Sequence, residues 1–178
     1  MTREFNSKTI KLIIGLGNSD PSYEKTYHNI GSAATDYLKN ELSQASLKNT
    51  QRGPFMFIKT KKYIFVRSKT FMNKSGVAVK SALAHFRAKT HELLVIHDDS
   101  DLTLGTYKLN FGRGSAGHHG IESIFETIKT KNFWRLRIGI RENKNQTKRA
   151  ANFVLKKISA THQKIIQEVF KRINQQLM

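Results

Sequence analysis

The feature that most constrains this chain is a short apolar run, Ile10-Lys11-Leu12-Ile13-Ile14-Gly15-Leu16, which ends in the turn cluster Gly17-Asn18-Ser19-Asp20-Pro21. A run of that length, rich in β-branched residues and closed by Gly and Pro, reads as a strand buried on both faces. Such strands belong to sheets covered by helices, so the next question is whether helical patterns alternate with it. They do. Gly31 to Leu42 carries Ala34, Leu38 and Leu42 on one helical face, and Ser75 to Phe86 carries Val79, Leu83 and Phe86. A helix is expected from about His118 to Ile128. Another, Ser159 to Leu177, is apolar at Ile165, Ile166, Val169, Phe170 and Ile173.

Strand patterns fall between these helices. Phe55 to Lys59 and Tyr63 to Val66 flank a Lys-rich turn, and Leu93 to His97 is a second fully apolar run that ends in acids. Thr106 to Phe111 alternates. Trp134 to Ile140 points Leu136, Ile138 and Ile140 one way. The expected fold is therefore α/β: a single domain over residues 1–178, with a mixed, mostly parallel sheet and helices on both faces. Residues 1–9 are expected to be flexible and 159–178 to form a C-terminal helix. In such sheets the site lies beyond the carboxyl ends of the strands, so the turns after Leu16, Ile96 and Phe111 are where chemistry is expected.

Composition narrows the partners. Thirty-one Lys and Arg oppose thirteen Asp and Glu, a net charge of +18. Between Glu41 and Glu92 there are eleven basic residues and no acidic one. A field of that sign concentrates polyanions, although a solubility role would give the same count. With no cysteine there is neither a disulfide framework nor a thiolate zinc site, which suits a reducing, cytoplasmic location. No apolar run reaches the length of a membrane span, and the first ten residues lack the apolar stretch of a signal peptide.

Four motifs carry chemical content. Gly112-Arg113-Gly114-Ser115-Ala116-Gly117 fits G-x-G-x-x-G, but no acid follows some 20 residues on to hold a ribose. A tight turn needing glycine freedom explains it as well. His97-Asp98-Asp99-Ser100-Asp101 has metal-binding residue types in a spacing that matches no calcium loop. Neighbours on an extended segment point to opposite faces, so one acid orienting a distant histidine is the better chemistry. Thr70-Phe71-Met72-Asn73-Lys74-Ser75-Gly76 precedes a helix. Asn73 or Ser75 caps it, or the Asn73 amide grips a peptide group. Gly117-His118-His119-Gly120 reads by itself as a solvent-facing helix start. No G-x-S-x-G elbow and no cysteine nucleophile is present, which leaves attack by a His-activated water for a hydrolase.

Taken in order, the stretches GLGNSDPSYEKTYHNIG, TFMNKSG, VIHDDSDLTLG, GRGSAGHHGIESI, FWRLRIGI and ANFVL resemble the bacterial-type peptidyl-tRNA hydrolase family, over about Lys11 to Leu155. The resemblance implies ester hydrolysis that frees a peptide from tRNA, with His28 as catalytic base and Asp98 as the acid that orients it. It implies that Asn18 distinguishes blocked from free aminoacyl-tRNA, and that Asn73 contacts the peptide or the 3′ adenosine. Tyr23 and Phe71 match residues lining the substrate's 3′ end. Arg137 matches one half of a basic clamp on the tRNA 5′ phosphate, with Lys108 near the other half, and His118 and His119 fall in a substrate-binding stretch. The implied partner is peptidyl-tRNA, bound through acceptor stem and 3′ end by a monomer, without membrane, metal or other cofactor. The alternative is a non-catalytic RNA-binding relative of the same fold.

The chain departs from that family at four places. Ser19-Asp20 replaces Pro-Gly, Tyr27 replaces an arginine, His119 an asparagine and Asn110 a lysine. These changes concern tRNA grip and pH dependence more than the base itself.

Overall fold

A computed structural model describes residues 4–42, 49–142 and 153–178. Ala151 and Asn152 of the ANFVL stretch, and residues 1–3 of the segment expected to be flexible, lie outside them. Of that segment, Ser7–Thr9 makes a single 3-10 turn and Phe5 packs edge-on against Trp134, with ring centroids 5.0 Å apart.

Seven strands form one sheet among the described residues: β1 (Leu12–Gly15), β2 (Thr50–Arg52), β3 (Phe55–Lys59), β4 (Ile64–Ser68), β5 (Leu93–Thr103), β6 (Tyr107–Phe111) and β7 (Trp134–Arg141). Their order is β2-β3-β4-β1-β5-β7-β6. The central four, β4-β1-β5-β7, run parallel; β3 and β6 are antiparallel to their neighbours. Among the described residues four α-helices cover the sheet: α1 (Ile30–Leu42), α2 (Ser75–His85), α3 (His119–Ile128) and α4 (Ala160–Leu177). The mixed α/β architecture expected from the sequence is the one found.

Strand alternation sorts the core onto two faces. Ile13, Leu94, Ile96, Leu136 and Ile138 pack with Ile30 and Leu38 of α1 and with Ile166, Val169, Phe170 and Ile173 of α4. Leu12, Ile14, Leu93 and Val95 pack with Val79 and Leu83 of α2 and with Ile121 and Ile124 of α3. Among the described residues no helix is long and apolar enough to cross a membrane.

Three differences from the sequence reading matter. First, β5 does not stop at its acids but runs on to Thr103, with a register shift between Asp99 and Thr103. Second, β7 is buried on both faces: Arg135, beside Leu136, is 2% exposed. Third, the turn after Phe111 does not start at the carboxyl ends. Because β6 is antiparallel, Phe111 sits opposite Trp134, the first residue of β7. The loop that follows has to travel the length of the sheet before it delivers His118 to the other end.

One glycine sets the approach of α1. A Cβ on Gly31 would lie 2.2 Å from the carbonyl oxygen of Ile96, so only glycine lets the first turn of α1 rest on β5. That contact brings the residues just before α1 against the carboxyl end of β5.

Candidate active site

His28 lies in a 3-10 turn, Tyr27–Asn29, that leads directly into α1. The turn is held from two sides. Asn29 Oδ1 accepts from the Asn18 backbone N–H at 2.8 Å and Asn29 Nδ2 donates to the Asn18 carbonyl at 3.0 Å, tying the turn to the segment after β1. On the other side the His28 N–H donates to the Val154 carbonyl at 2.8 Å.

The His28 side chain meets Asp98 across 70 residues of sequence: Nδ1 lies 3.0 Å from each carboxylate oxygen. Asp98 Oδ1 is also 3.0 Å from His118 Nε2. His118 is the N-cap of α3, and its Nδ1 accepts from the backbone N–H groups of Gly120 (3.1 Å) and Ile121 (3.4 Å). A backbone N–H only donates, so His118 Nδ1 carries the lone pair and Nε2 carries the hydrogen it gives Asp98. That assignment decides between two chemistries. His28, Asp98 and His118 have the composition of a metal site, with ligand atoms within 4.8 Å of one another. With its Nε2 hydrogen aimed at the carboxylate, however, His118 offers no lone pair there. The trio is arranged as a proton network.

The electrostatics follow from the same contacts. Burial works to raise the Asp98 pKa, but the neighbouring imidazoles of His118 and His28, by charge and hydrogen bond, hold it well below the usual carboxylate range. For His28 burial is the largest single influence and pulls the pKa down. The Asp98 charge and hydrogen bond together outweigh it, and the net shift is upward from 6.5. With Nδ1 committed to an ionised Asp98, the neutral form of His28 keeps its lone pair on Nε2, the nitrogen a base needs.

Two cavities meet at His28. One, of about 320 Å³, is lined by Asp98, Ala116, Gly117, His118, Val154 and Leu155 among others. A second, more open one of about 490 Å³ is lined by Asn18, Phe71, Met72, Asn73 and Lys74. His28 and His119 border both. Asn18 Oδ1 accepts from the Met72 N–H at 2.8 Å, which fixes the amide and leaves Nδ2 as the part with hydrogens to offer. Asn73 is exposed and makes no side-chain cap for α2, while the Ser75 hydroxyl donates to the Met72 carbonyl at 2.7 Å. Neither residue caps the helix in the way weighed from the sequence. Phe71, 54% exposed, stands open beside Asn73.

The two adjacent histidines part company. His118 is buried at Asp98, contrary to a solvent-facing helix start. His119 is 79% exposed, with Nδ1 3.2 Å from Glu122 Oε2. Tyr23 ends a separate 3-10 turn, Pro21–Tyr23, and is not among the residues lining either cavity. Lys108 is exposed on the edge strand β6, opposite Arg137 of β7. Arg137 is only 12% exposed: its Nε donates to Asp99 Oδ2 at 2.5 Å and its Nη1 to Asn110 Oδ1 at 3.1 Å.

The glycine-rich stretch makes a tight turn. The His118 N–H bonds the Ser115 carbonyl at 3.2 Å, and Ala116 and Gly117 both have positive φ, at 53° and 75°. It follows an antiparallel strand, so it is not the strand–loop–helix unit of a dinucleotide site. Sequence reasoning missed Asn29, which fastens the His28 turn, and weighed His97 only as a metal ligand, whereas its ring packs edge-on against His118 at 4.7 Å. A polar residue next to a candidate base and a histidine beside a candidate acid carry no periodic signal of their own.

A family model described as peptidyl-tRNA hydrolase matches residues 12–178. The peptidyl-tRNA hydrolase of Mycoplasma capricolum is 39% identical over 163 residues, covering 90% of this chain and 87% of its own. That of Aquifex aeolicus is 37% identical over 178 residues, covering 95% and 88%. Among solved structures, peptidyl-tRNA hydrolase from Acinetobacter baumannii is similar at TM-score 0.84 and 27% identity, over 98% of this chain and 89% of that one.

Proposed function

The chain belongs to the peptidyl-tRNA hydrolase family, and within the hydrolysis of peptidyl-tRNA we propose that His28 is the general base that activates the attacking water. The observation that carries this is the double commitment of Asp98. Both its partners are imidazole N–H groups, so the carboxylate stays ionised and holds His28 with Nε2 available. Nε2 takes a proton from water as the oxygen attacks the ester carbonyl that joins peptide to ribose. The resulting oxyanion is met by an amide donor, and Asn18 Nδ2 is the group in place to give it. Collapse breaks the bond to the ribose oxygen, which leaves with the proton held by His28. The products are a free peptide acid and a tRNA with its terminal hydroxyl restored.

On this reading the two cavities receive the two sides of the ester. The open one, with exposed Phe71, Asn73 and Lys74, takes the terminal nucleotide, since a ring face, an amide and a cation are what a base and a phosphate use. The one lined by Ala116, Val154 and Leu155 takes the peptide. Tyr23 acts from the neighbouring turn, and His118 and His119 frame the junction. The acceptor stem lies along the β6 edge, where exposed Lys108 and the ion-paired Arg137 meet its phosphates and the +18 charge draws it in. We further infer a monomer that acts in the cytoplasm, where translation supplies its substrate.

The test is release of N-acetyl-aminoacyl groups from tRNA. His28→Ala is expected to lower kcat roughly 10²- to 10⁴-fold. A variant as fast as the wild type overturns His28 as base, and an inactive wild type overturns the hydrolase reading.

A further inference from the structure

His97 adjoins Asp98 on β5 and is fully buried, yet the mechanism above leaves it without work. Its contacts are specific. Nδ1 lies 2.6 Å from the carbonyl oxygen of Asp98, and because a carbonyl only accepts, Nδ1 carries the hydrogen. This bond forms just ahead of the register shift that interrupts the β5–β7 ladder after Asp99. The ring stands at 78° to that of His118, which in turn lies 4.9 Å from His28, so His118 is packed between the other two imidazoles. Nε2 is buried and has no hydrogen-bond partner among the described residues.

An orphaned acceptor in a core is destabilising, and a hydrocarbon ring would fill the same space without that cost. What imidazole supplies here and a hydrocarbon ring does not is the Nδ1–H bond to the Asp98 carbonyl. We propose that His97 is a positioning residue for the hydrolysis: it fixes the Asp98 peptide plane through its carbonyl and wedges the His118 ring, so that the carboxylate is presented to His28 in one orientation. Asp98 is then gripped twice on its side chain, by His28 and His118, and once on its main chain. The groups that face His97 are Asp98, His118 and Arg135. Burial first, then the proximity of His118 and Arg135, hold its pKa well below the ordinary histidine value, so it keeps this role as a neutral ring across the working range.

The proposal rests on His28 and Asp98 as base and orienter, and the test separates the two. His97→Phe keeps the ring contact and removes the donor and the orphan. It is expected to lower kcat by about 10- to 100-fold through loss of alignment, with KM little changed. The acid limb of the pH–rate profile should move to lower pH as Asp98 loosens its hold on His28, and the melting temperature should not fall. His97→Asn restores an N–H donor close to the Nδ1 position and should recover most of kcat and the original profile. A His97→Phe enzyme with wild-type kcat and pH profile, or a His97→Asn enzyme as slow as His97→Phe, overturns the proposal. If His97→Phe does not fold, the kcat and acid limb of His97→Asn decide on the same terms against His97→Ala. Failure here with His28→Ala inactive refutes only the role of His97, whereas an active His28→Ala refutes the base beneath it.

Discussion

Asp98 and Asp99 are neighbours on one strand, both buried, and they face opposite sides of the sheet. Asp98 meets two imidazoles, His28 and His118. Asp99 meets the guanidinium of Arg137 at 2.5 Å and also accepts the Asp101 N–H at 2.9 Å. Arg135, under the same face, donates to the Gly114 carbonyl at 2.7 Å, and burial with the repulsion of Arg137 and Arg113 brings its pKa to about 10. The contrast lies in what the partner can do with a proton. An imidazole titrates near neutrality and can take one from water; a guanidinium stays charged throughout and can only hold a shape. On the proposed mechanism, identical side chains one residue apart are divided between chemistry and architecture by the elements that fold over each face.

The sharpest way to break that division is Asp98→Asn. The amide has one acceptor oxygen where the carboxylate had two, while His28 and His118 both present N–H groups. Loss of tautomer control and of the negative charge is expected to reduce kcat roughly 10²- to 10⁴-fold in a folded protein. The pH dependence gives an independent reading. His28 is held above 6.5 by Asp98 against the pull of burial. On the proposed mechanism the base works when neutral, so wild-type activity is expected to fall as pH drops through a value above the ordinary 6.5. Without the charge only burial remains, and the residual activity of Asp98→Asn should persist to lower pH. An acid limb unmoved by the substitution would separate Asp98 from the base.

Asp99→Ala tests the other face. It strands Arg137 in a largely buried site, and removing one partner of such a pair costs about 3–5 kcal/mol, readable by urea unfolding. Asp99 also borders the 320 Å³ cavity, which makes the comparison demanding. Its kcat should nevertheless stay within about tenfold of wild type, with any larger change in KM. A kcat loss equal to that of Asp98→Asn, at unchanged stability, would mean that the two faces share the chemistry.

The elements were legible from the sequence because each buries a periodic apolar face. Ile13, Leu38, Leu94 and Phe170 announce their strands and helices by spacing alone. What spacing does not show is polar burial. Thr50–Arg52 has no apolar pattern because all three residues of this edge strand are exposed. β5 reads as ending at His97 because its next residues are acids, and those acids stay in the sheet only because imidazole and guanidinium partners arrive from α3, β7 and the His28 turn. The same limit applies to the site. His28 carries no local signal, and its tie to Asp98 came from resemblance across six stretches rather than from either residue's surroundings. His118 looked solvent-facing because a helix start is usually a surface feature, whereas here its backbone N–H groups turn the ring's hydrogen toward a carboxylate.

The smallest expected effect falls on the basic edge, where the comparison becomes one between fixed and unfixed charge. Arg137 is held by Asp99 and Asn110, whereas Lys108 opposite it on β6 is exposed. If the acceptor stem follows that edge, Lys108 neutralises one phosphate and releases its counterion. Lys108→Ala should then leave kcat and urea unfolding as they are, weaken substrate binding modestly, and reduce the slope of log affinity against log salt by about 0.7–0.9. Titrating affinity between low and moderate salt for both proteins measures that slope directly. An unchanged slope would move the stem away from β6, and the +18 charge would then need another face on which to act.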